Sequence, residues 1–370
     1  MPSTSSAAWP APAAGLMAII QGSARKITFS EYSYLSCTRN LRRFLCARSR
    51  TARAYCEKMQ RASEMSTPQR LSFGCGVFDD AFGGGLPPHG LHEICGEAGA
   101  GKTQMCLQLA TQAVILGGKC CYLTSGEGLF PIKRLEQLAE SAARRPGSTL
   151  SKYKIMEGVL IKACSSVDAL MDTVDSELLH LMESEDIRLV VIDSVAGAFR
   201  TDERFRPPTN GAGAAAAPKG GTSGSAGRSL GQQRSRDLFL FAAHLRRLSF
   251  LHDAPVVVAN QATALFESDA NPEYAHTHAD MHAAFPDLRV KPAFGLSWAS
   301  CVNQRIMLQR RAACPDIDLS RRCAGDSDDP GSSWRRDAVL MLSPCSPMRS
   351  VEFCIHPSGV KGVEVSAASY

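Results

Sequence analysis

The sequence lacks three features that would assign it to a class at once. It has no apolar run long enough to span a membrane and no internal repeat, and none of its 14 cysteines form the C-x-x-C pairs of a zinc module. The net charge of +5 on 370 residues is too small to indicate nucleic-acid binding by itself. A membrane protein, a repeat protein and a cysteine-rich zinc domain are therefore excluded as interpretations.

The chain does have enough apolar residues, 44%, for a large core, and its length fits one large domain with appendages. Residues 1–66 differ from the rest, since the first 56 residues are rich in Ser and Ala and carry a single acid, Glu31. This region is interpreted as a basic, poorly ordered arm or a degenerate small helical domain, with an organelle-import peptide as the lesser alternative. The eight basic residues among the first 56 are Arg25, Lys26, Arg39, Arg42, Arg43, Arg48, Arg50 and Arg53.

The segment "GEAGAGKT", residues 96–103, has the Gly-x4-Gly-Lys-Thr pattern of a phosphate-binding loop. Glycines let backbone N–H groups curve around phosphate oxygens, Lys102 supplies charge at the β and γ phosphates, and the Thr103 hydroxyl can ligate Mg²⁺. An apolar strand, residues 91–95, precedes the loop, and a helix over 103–116 presents its N-terminus to the anion. The pattern predicts a nucleotide site formed by Gly96, Glu97, Ala98, Gly99, Ala100, Gly101, Lys102 and Thr103.

Strand-like and helix-like segments alternate after the loop, which indicates an α/β fold over residues 67–370. We expect a mostly parallel twisted sheet with helices on both faces, extended at the C-terminus by antiparallel strands. Strands are predicted at 119–125, 187–194 and 254–261, and helices at 131–145, 165–184 and 236–253. Flexible insertions are predicted at about 206–228, 262–290 and 314–336, where turn-forming or polar residues accumulate.

Three polar residues stand at or just beyond the ends of predicted strands. Asp193 ends the apolar segment "LVVID", where a carboxylate either serves the metal beside a phosphate loop or caps the following turn. Glu127 follows "YLTSG" and is either the group that polarises an attacking water or a solvated turn residue. Gln261 ends "VVVANQ", where an amide can sense the γ phosphate or simply begin a turn.

Five segments, in order, resemble the core of the RecA-like recombinase family, and among its members the eukaryotic DNA-repair paralogues. They are "GGGLPPHGLHEICGEAGAGKTQMCLQLA", "YLTSGEGLFPIKRLEQL", "LVVIDSVAGAFR", "VVVANQAT" and "KPAFGLSWASCVNQRIML". The resemblance covers about residues 68–310 and "FCIHPSGVKG" near the end of the chain. The phosphate loop alone is generic, whereas the ordered set of segments is specific.

This resemblance implies a RecA-type P-loop ATPase core that binds ATP and Mg²⁺. It implies a nuclear mediator of homologous-recombination repair of double-strand breaks, with another recombinase paralogue, the main recombinase and DNA as partners and no membrane. A weak DNA-dependent ATPase activity is expected. Two alternatives stay open, a self-assembling strand-exchange ATPase and a scaffold whose ATP is never hydrolysed.

The resemblance also implies roles for individual residues. Lys102, Glu127 and Gln261 take the catalytic positions, with Glu127 polarising water and Gln261 coupling the γ phosphate to the second DNA-facing loop. Thr103 and Asp193 would hold Mg²⁺. Arg134 matches the position whose guanidinium packs on adenine.

The sequence departs from the family pattern at several places. Four residues, rather than three, separate Tyr122 from Glu127, which favours weak hydrolysis, and residues 206–228 enlarge the first DNA-facing loop. The second such loop, about 262–290, has no Lys or Arg before Arg289, so phosphates are expected to be repelled there. Its acidic residues are Glu267, Asp269, Glu273, Asp280 and Asp287. The three histidines in "HTHADMH", residues 276–282, are interpreted as loop residues rather than metal ligands.

Overall fold

A computed structural model of the chain describes residues 69–125, 129–205, 223–264, 290–310 and 336–363. The basic N-terminal region, Glu127, most of each predicted insertion and the three loop histidines lie outside these ranges. The predicted domain boundary at residue 67 therefore remains a prediction. No helix within the described ranges is both long enough and apolar enough to cross a bilayer.

Ten strands of the described chain make one sheet. Six run parallel in the order β7-β1-β5-β4-β2-β3, and β8, β9 and β10 continue the sheet antiparallel beside β7. The short β6 pairs antiparallel with β5. The strands are β1 Leu91–Gly96, β2 Lys119–Ser125, β3 Val159–Cys164, β4 Ile187–Asp193, β5 Val256–Ala264, β6 Val290–Pro292, β7 Gln304–Arg310, β8 Arg336–Leu342, β9 Arg349–His356 and β10 Gly359–Gly362.

Helices connect the parallel strands. A π-helical turn, Thr173–Glu177, joins α5 to α6, and a 3₁₀ turn, Glu203–Phe205, follows α7. The helices are α1 Gly76–Ala81, α2 Lys102–Ile115, α3 Ile132–Ala143, α4 Lys152–Glu157, α5 Val167–Asp172, α6 Leu178–Ser184, α7 Val195–Thr201, α8 Ser223–His252 and α9 Gly295–Ala299.

The two faces of the sheet belong to two separate cores, as strand β4 illustrates. Leu189 and Val191 pack into one core, and Val190 and Ile192 pack into the other. A strand buried on both faces reads as a continuous apolar run, which is why "LVVI" shows no alternation. This arrangement confirms the predicted α/β fold with a mostly parallel sheet and an antiparallel C-terminal extension.

The sequence patterns missed several short elements and one boundary. Helices α1, α4, α7 and α9 and strands β3 and β6 were not predicted. Strand β3 lies at the edge of the sheet, and its central residues alternate between half-buried and exposed. Such short, half-polar segments carry a weak periodic signal. Helix α8 begins at Ser223, inside the stretch predicted as the 206–228 insertion.

His92 on β1 is a buried base near the end of the sheet opposite the phosphate loop. Its exposed fraction is 2%, and burial lowers its pKa to about 4. An unfolded histidine titrates near 6.5, so between these values the unfolded chain binds a proton that the folded chain does not. Stability due to this group is therefore complete above about pH 6.5 and is lost as the pH falls towards 4, by roughly 3 kcal/mol at most.

Chemical denaturation of the wild-type chain is expected to show this loss of stability between about pH 6.5 and 4.5. His92→Gln should be less dependent on pH over that interval, whatever its stability at neutral pH. His180→Gln, at an exposed position of α6, serves as the control and should keep the wild-type dependence. Equal pH dependence in wild type and His92→Gln would rule out His92 as the source.

Candidate nucleotide-binding site

The phosphate loop lies between the end of β1 and the start of α2. At Gly101, which precedes α2, the φ angle is +107°, a value that side-chain-bearing residues rarely adopt. At Gly96 an added Cβ would lie 2.1 Å from the carbonyl oxygen of Leu308 on the neighbouring strand β7. Both glycines are therefore required by the backbone path, and the loop has the predicted strand–loop–helix context.

Lys102 places its ammonium group inside this loop. Its Nζ donates hydrogen bonds to the carbonyl oxygens of Gly96, at 2.9 Å, and Glu97, at 2.8 Å. Burial lowers the pKa of Lys102, although the charge of Asp193 acts in the opposite direction. The loop thus holds a partly desolvated cation where the pattern expects phosphate, and an anion would satisfy it more strongly than two carbonyls.

The predicted metal ligands meet at the ends of α2 and β4. The Thr103 hydroxyl donates to Asp193 Oδ2 at 2.7 Å, and the Tyr122 phenol donates to the same oxygen at 2.9 Å. Burial, together with nearby charges that include Asp193, raises the pKa of Tyr122 well above its usual value, so the phenol remains a donor. Hydroxyl and carboxylate oxygens are the ligand types that Mg²⁺ prefers, and the donor set fits that ion.

A cleft of about 530 Å³ opens beside the loop. Arg134 on α3 forms part of its wall: Nε donates to Gln104 Oε1 at 2.6 Å, and Nη2 donates to the His356 carbonyl oxygen at 2.5 Å. The volume lies within the range of small-molecule sites. Besides Arg134, the lining includes Gly99, Gly101, Lys102, Thr103, Gln104, Gln137, Arg336, Ile355, His356 and Pro357.

Gln261 lies on β5, and its register partner on β1 is Gly96. The amide is therefore on the strand next to the phosphate loop, about 5 Å away in the backbone. Its Oε1 accepts a hydrogen bond of 2.7 Å from Arg200 Nη1. Glu127 lies outside the described residues; the strand that leads to it, β2, ends at Ser125 beside Asp193's strand β4.

A buried polar network supports the end of β5. The Glu93 carboxylate accepts hydrogen bonds from Asn260 Nδ2, at 2.6 Å, and Trp298 Nε1, at 2.8 Å, and forms an ion pair with Arg305. Asn260 Oδ1 in turn accepts the backbone N–H of Gln261 at 2.8 Å. The position of Gln261 is thus tied to groups on β1, β7 and α9.

Several residues at the site were not predicted as site residues. Tyr122, Gln104 and Arg336 carry no motif of their own, and only three-dimensional proximity brings them to the loop or the cleft. His356 and Pro357 lie in "FCIHPSGVKG", a segment noted for its resemblance but not assigned to the site. Within the described chain, no cluster of three or more His, Cys, Asp or Glu residues could hold a metal ion.

Comparison with known proteins agrees with this geometry. Residues 65–209 match the Rad51 protein family. The chain is 30% identical to the DNA repair protein XRCC3 homolog of Arabidopsis thaliana, over 80% of this chain and 94% of that protein. It is also 30% identical to the DNA repair protein XRCC3 of Bos taurus, over 81% and 77% of the two chains. The DNA repair protein rhp57 of Schizosaccharomyces pombe is 27% identical, over 80% and 79%.

The parallel sheet, the phosphate loop and the acid at the end of β4 define a RecA-like P-loop protein. The motifs "FPIKRL" and "IDSVAGAFR" favour, among the DNA-repair paralogues, the type known as X-ray repair cross-complementing protein three. The similarity to the XRCC3 proteins confirms this assignment. The chain belongs to the Rad51 family of RecA-like recombinases and their paralogues.

Proposed function

We propose that this chain is an ATP-binding recombinase paralogue that mediates homologous-recombination repair of DNA double-strand breaks within a complex of paralogues. The relatives' names support a role in DNA repair, and such a role would place the chain in the nucleus. The observation that carries the proposal is the convergence of Lys102, Thr103 and Asp193 at one edge of the sheet. Another RecA-like paralogue, the main recombinase and DNA are the partners proposed.

ATP and Mg²⁺ are the cofactors proposed for this site. The backbone of residues 96–103 and the Lys102 ammonium would hold the phosphates, and Thr103 and Asp193 would hold the metal. Bound Mg²⁺ neutralises charge on the β and γ phosphates. Arg134, which lines the same cleft as Lys102 and Thr103, would contact adenine.

Glu127 is proposed to polarise the attacking water and Gln261 to sense the γ phosphate. Support for Gln261 is its register beside Gly96, and support for Glu127 is its place just after β2, whose Thr124 pairs with Asp193. The extra residue between Tyr122 and Glu127 favours an alternative in which ATP is held but not cleaved. That alternative makes the chain an ATP-bound scaffold.

Turnover of ATP by the full chain, alone and with a candidate paralogue, distinguishes these functions. We expect slow turnover that single-stranded DNA stimulates only weakly, because the second DNA-facing loop is acidic. Glu127→Gln should lower the rate by at least ~10-fold, since a group acting on the attacking water contributes that much or more. Glu140→Gln, at a surface pair with Arg144, is the matched control and should leave the rate unchanged.

Other results of the same experiment would replace the proposal. Equally negligible turnover in wild type and Glu127→Gln, with ATP still bound, would establish the scaffold. Steep stimulation of the chain alone by single-stranded DNA, together with filament formation, would instead support a self-assembling strand-exchange ATPase.

A further inference from the structure

The amide of Gln261 has a fixed orientation in this structure. A carboxamide has two different ends: its carbonyl oxygen accepts hydrogen bonds, and its NH₂ group only donates them. An arginine guanidinium only donates, so its 2.7 Å contact with Gln261 assigns the amide oxygen to the side of Arg200. The NH₂ group, which can donate to an anion, is therefore directed away from Arg200.

Arg200 is held in place by the helix that follows the metal-site strand. Helix α7 starts at Val195, directly after β4, and the Ser194 hydroxyl caps it by accepting the Gly197 N–H at 3.0 Å. Phe199 is fully buried and packs against the rings of Phe205 and Phe241. Helix α7 is thus held in position at both ends. Arg200, in its last turn, therefore contacts Gln261 on β5 from a helix whose position is fixed.

The two hydrogen bonds to Gln261 do different things. Asn260 accepts the backbone N–H at 2.8 Å and so fixes the backbone of β5 where its pairing with β1 ends and its pairing with β6 begins. Arg200 donates to the side-chain oxygen and so determines whether the oxygen or the NH₂ group of the amide is available on the side of Gly96. Without Arg200, the exposed Gln261 side chain can turn its oxygen towards the phosphates. The negative charge of the phosphates would repel that oxygen, and the hydrogen bond from the NH₂ group would be lost.

We propose that Arg200 is a positioning residue that orients the Gln261 amide so that its NH₂ group donates to the γ phosphate. The inference rests on the proposed sensor role of Gln261 and adds the residue that sets its orientation. Because ADP lacks the γ phosphate, the contribution of Arg200 is specific to triphosphates. The hydrogen bond between Arg200 and Gln261 also connects two elements of the fold. Helix α7 leads to the first DNA-facing loop, and strand β5 leads to the second.

The experiment compares the dissociation constants of a non-hydrolysable ATP analogue and of ADP, both with Mg²⁺ and without DNA, on the full chain. Arg200→Met keeps the aliphatic length but removes every donor. It should weaken binding of the ATP analogue about five-fold, the equivalent of one hydrogen bond, and leave ADP binding unchanged. Arg200→Lys retains a donor and should recover part of the loss.

Arg204→Met is the matched control. This arginine lies four residues further on and pairs with Asp202 and Asp168, each at 2.9 Å, rather than with Gln261. Arg204→Met removes one positive charge from the same region. It should leave the ratio of the dissociation constants for the ATP analogue and for ADP at the wild-type value. An equal loss in Arg204→Met would mean that net charge, not amide orientation, produces the effect.

Gln261→Ala separates failure of this inference from failure of the proposed function. We expect Gln261→Ala to lower the preference for the triphosphate, and the double variant with Arg200→Met to be no worse than Gln261→Ala alone. If Gln261→Ala lowers the preference but Arg200→Met does not, the role of Arg200 is overturned while the sensor role stands. If Gln261→Ala has no effect, the sensor role fails and the inference fails with it.

Discussion

Lys102→Ala is expected to weaken ATP binding about 100-fold or more. The substitution removes the only side-chain cation that the phosphate-loop segment, residues 96–103, supplies, and charge-assisted hydrogen bonds to phosphate are among the strongest in proteins. We also propose that the bound nucleotide controls assembly with another paralogue, so association with that partner should weaken as well. Titration calorimetry with Mg·ATP measures the first effect, and co-purification of the partner measures the second.

A second lysine provides the control for lost charge. Lys119 is the first residue of β2, at the opposite end of the parallel strands from the phosphate loop, and pairs with Glu185 at 2.7 Å. Lys119→Ala should bind ATP and partner as the wild type does. If Lys102→Ala left both nucleotide binding and partner association unchanged, the proposed mechanism would be lost.

Glu93→Gln is expected to destabilise the fold by about 3 kcal/mol or more, because removing one charge of a buried ion pair leaves the other uncompensated. The Glu93 side chain is 0% exposed, and its partner Arg305 is 12% exposed. The same carboxylate holds Asn260 and Trp298, so the end of β5 should loosen too. Guanidinium denaturation, with its midpoint and slope, measures the change.

The same substitution at a solvated pair shows what burial contributes. Glu185 is 39% exposed and pairs with Lys119 at the surface, where an ion pair is worth about 0–1 kcal/mol. Glu185→Gln should therefore shift the denaturation midpoint little. Equal losses in Glu93→Gln and Glu185→Gln would show that the buried network does not support the sheet in the way described.

Much of the fold was predictable because its strongest signals are local. The phosphate loop requires a strand before it and a helix after it, and the apolar segment "LVVID" is long enough to predict a buried parallel strand. From those two elements alone, Thr103 and Asp193 could be expected at the same edge of a parallel sheet. The structure joins them by a 2.7 Å hydrogen bond.

The features of the site that could not be predicted depend on contacts between residues far apart in the sequence. Arg134 meets the carbonyl oxygen of His356, 222 positions away, and Glu93 meets Arg305, 212 positions away. Neither pair has a spacing that a single sequence can reveal. The proposed orientation of Gln261 by Arg200 is of the same kind, since "IDSVAGAFR" includes Arg200 but gives no sign that this residue contacts Gln261, 61 positions away.

Uptake of ATP by the folded wild-type chain, titrated with Mg²⁺ and again with a chelator, measures the proposed nucleotide and metal site itself. We expect saturable binding that weakens at least ~10-fold when Mg²⁺ is removed, with a similar loss in Asp193→Asn. No uptake by well-folded protein, or uptake that is indifferent both to Mg²⁺ and to Asp193, would contradict this expectation.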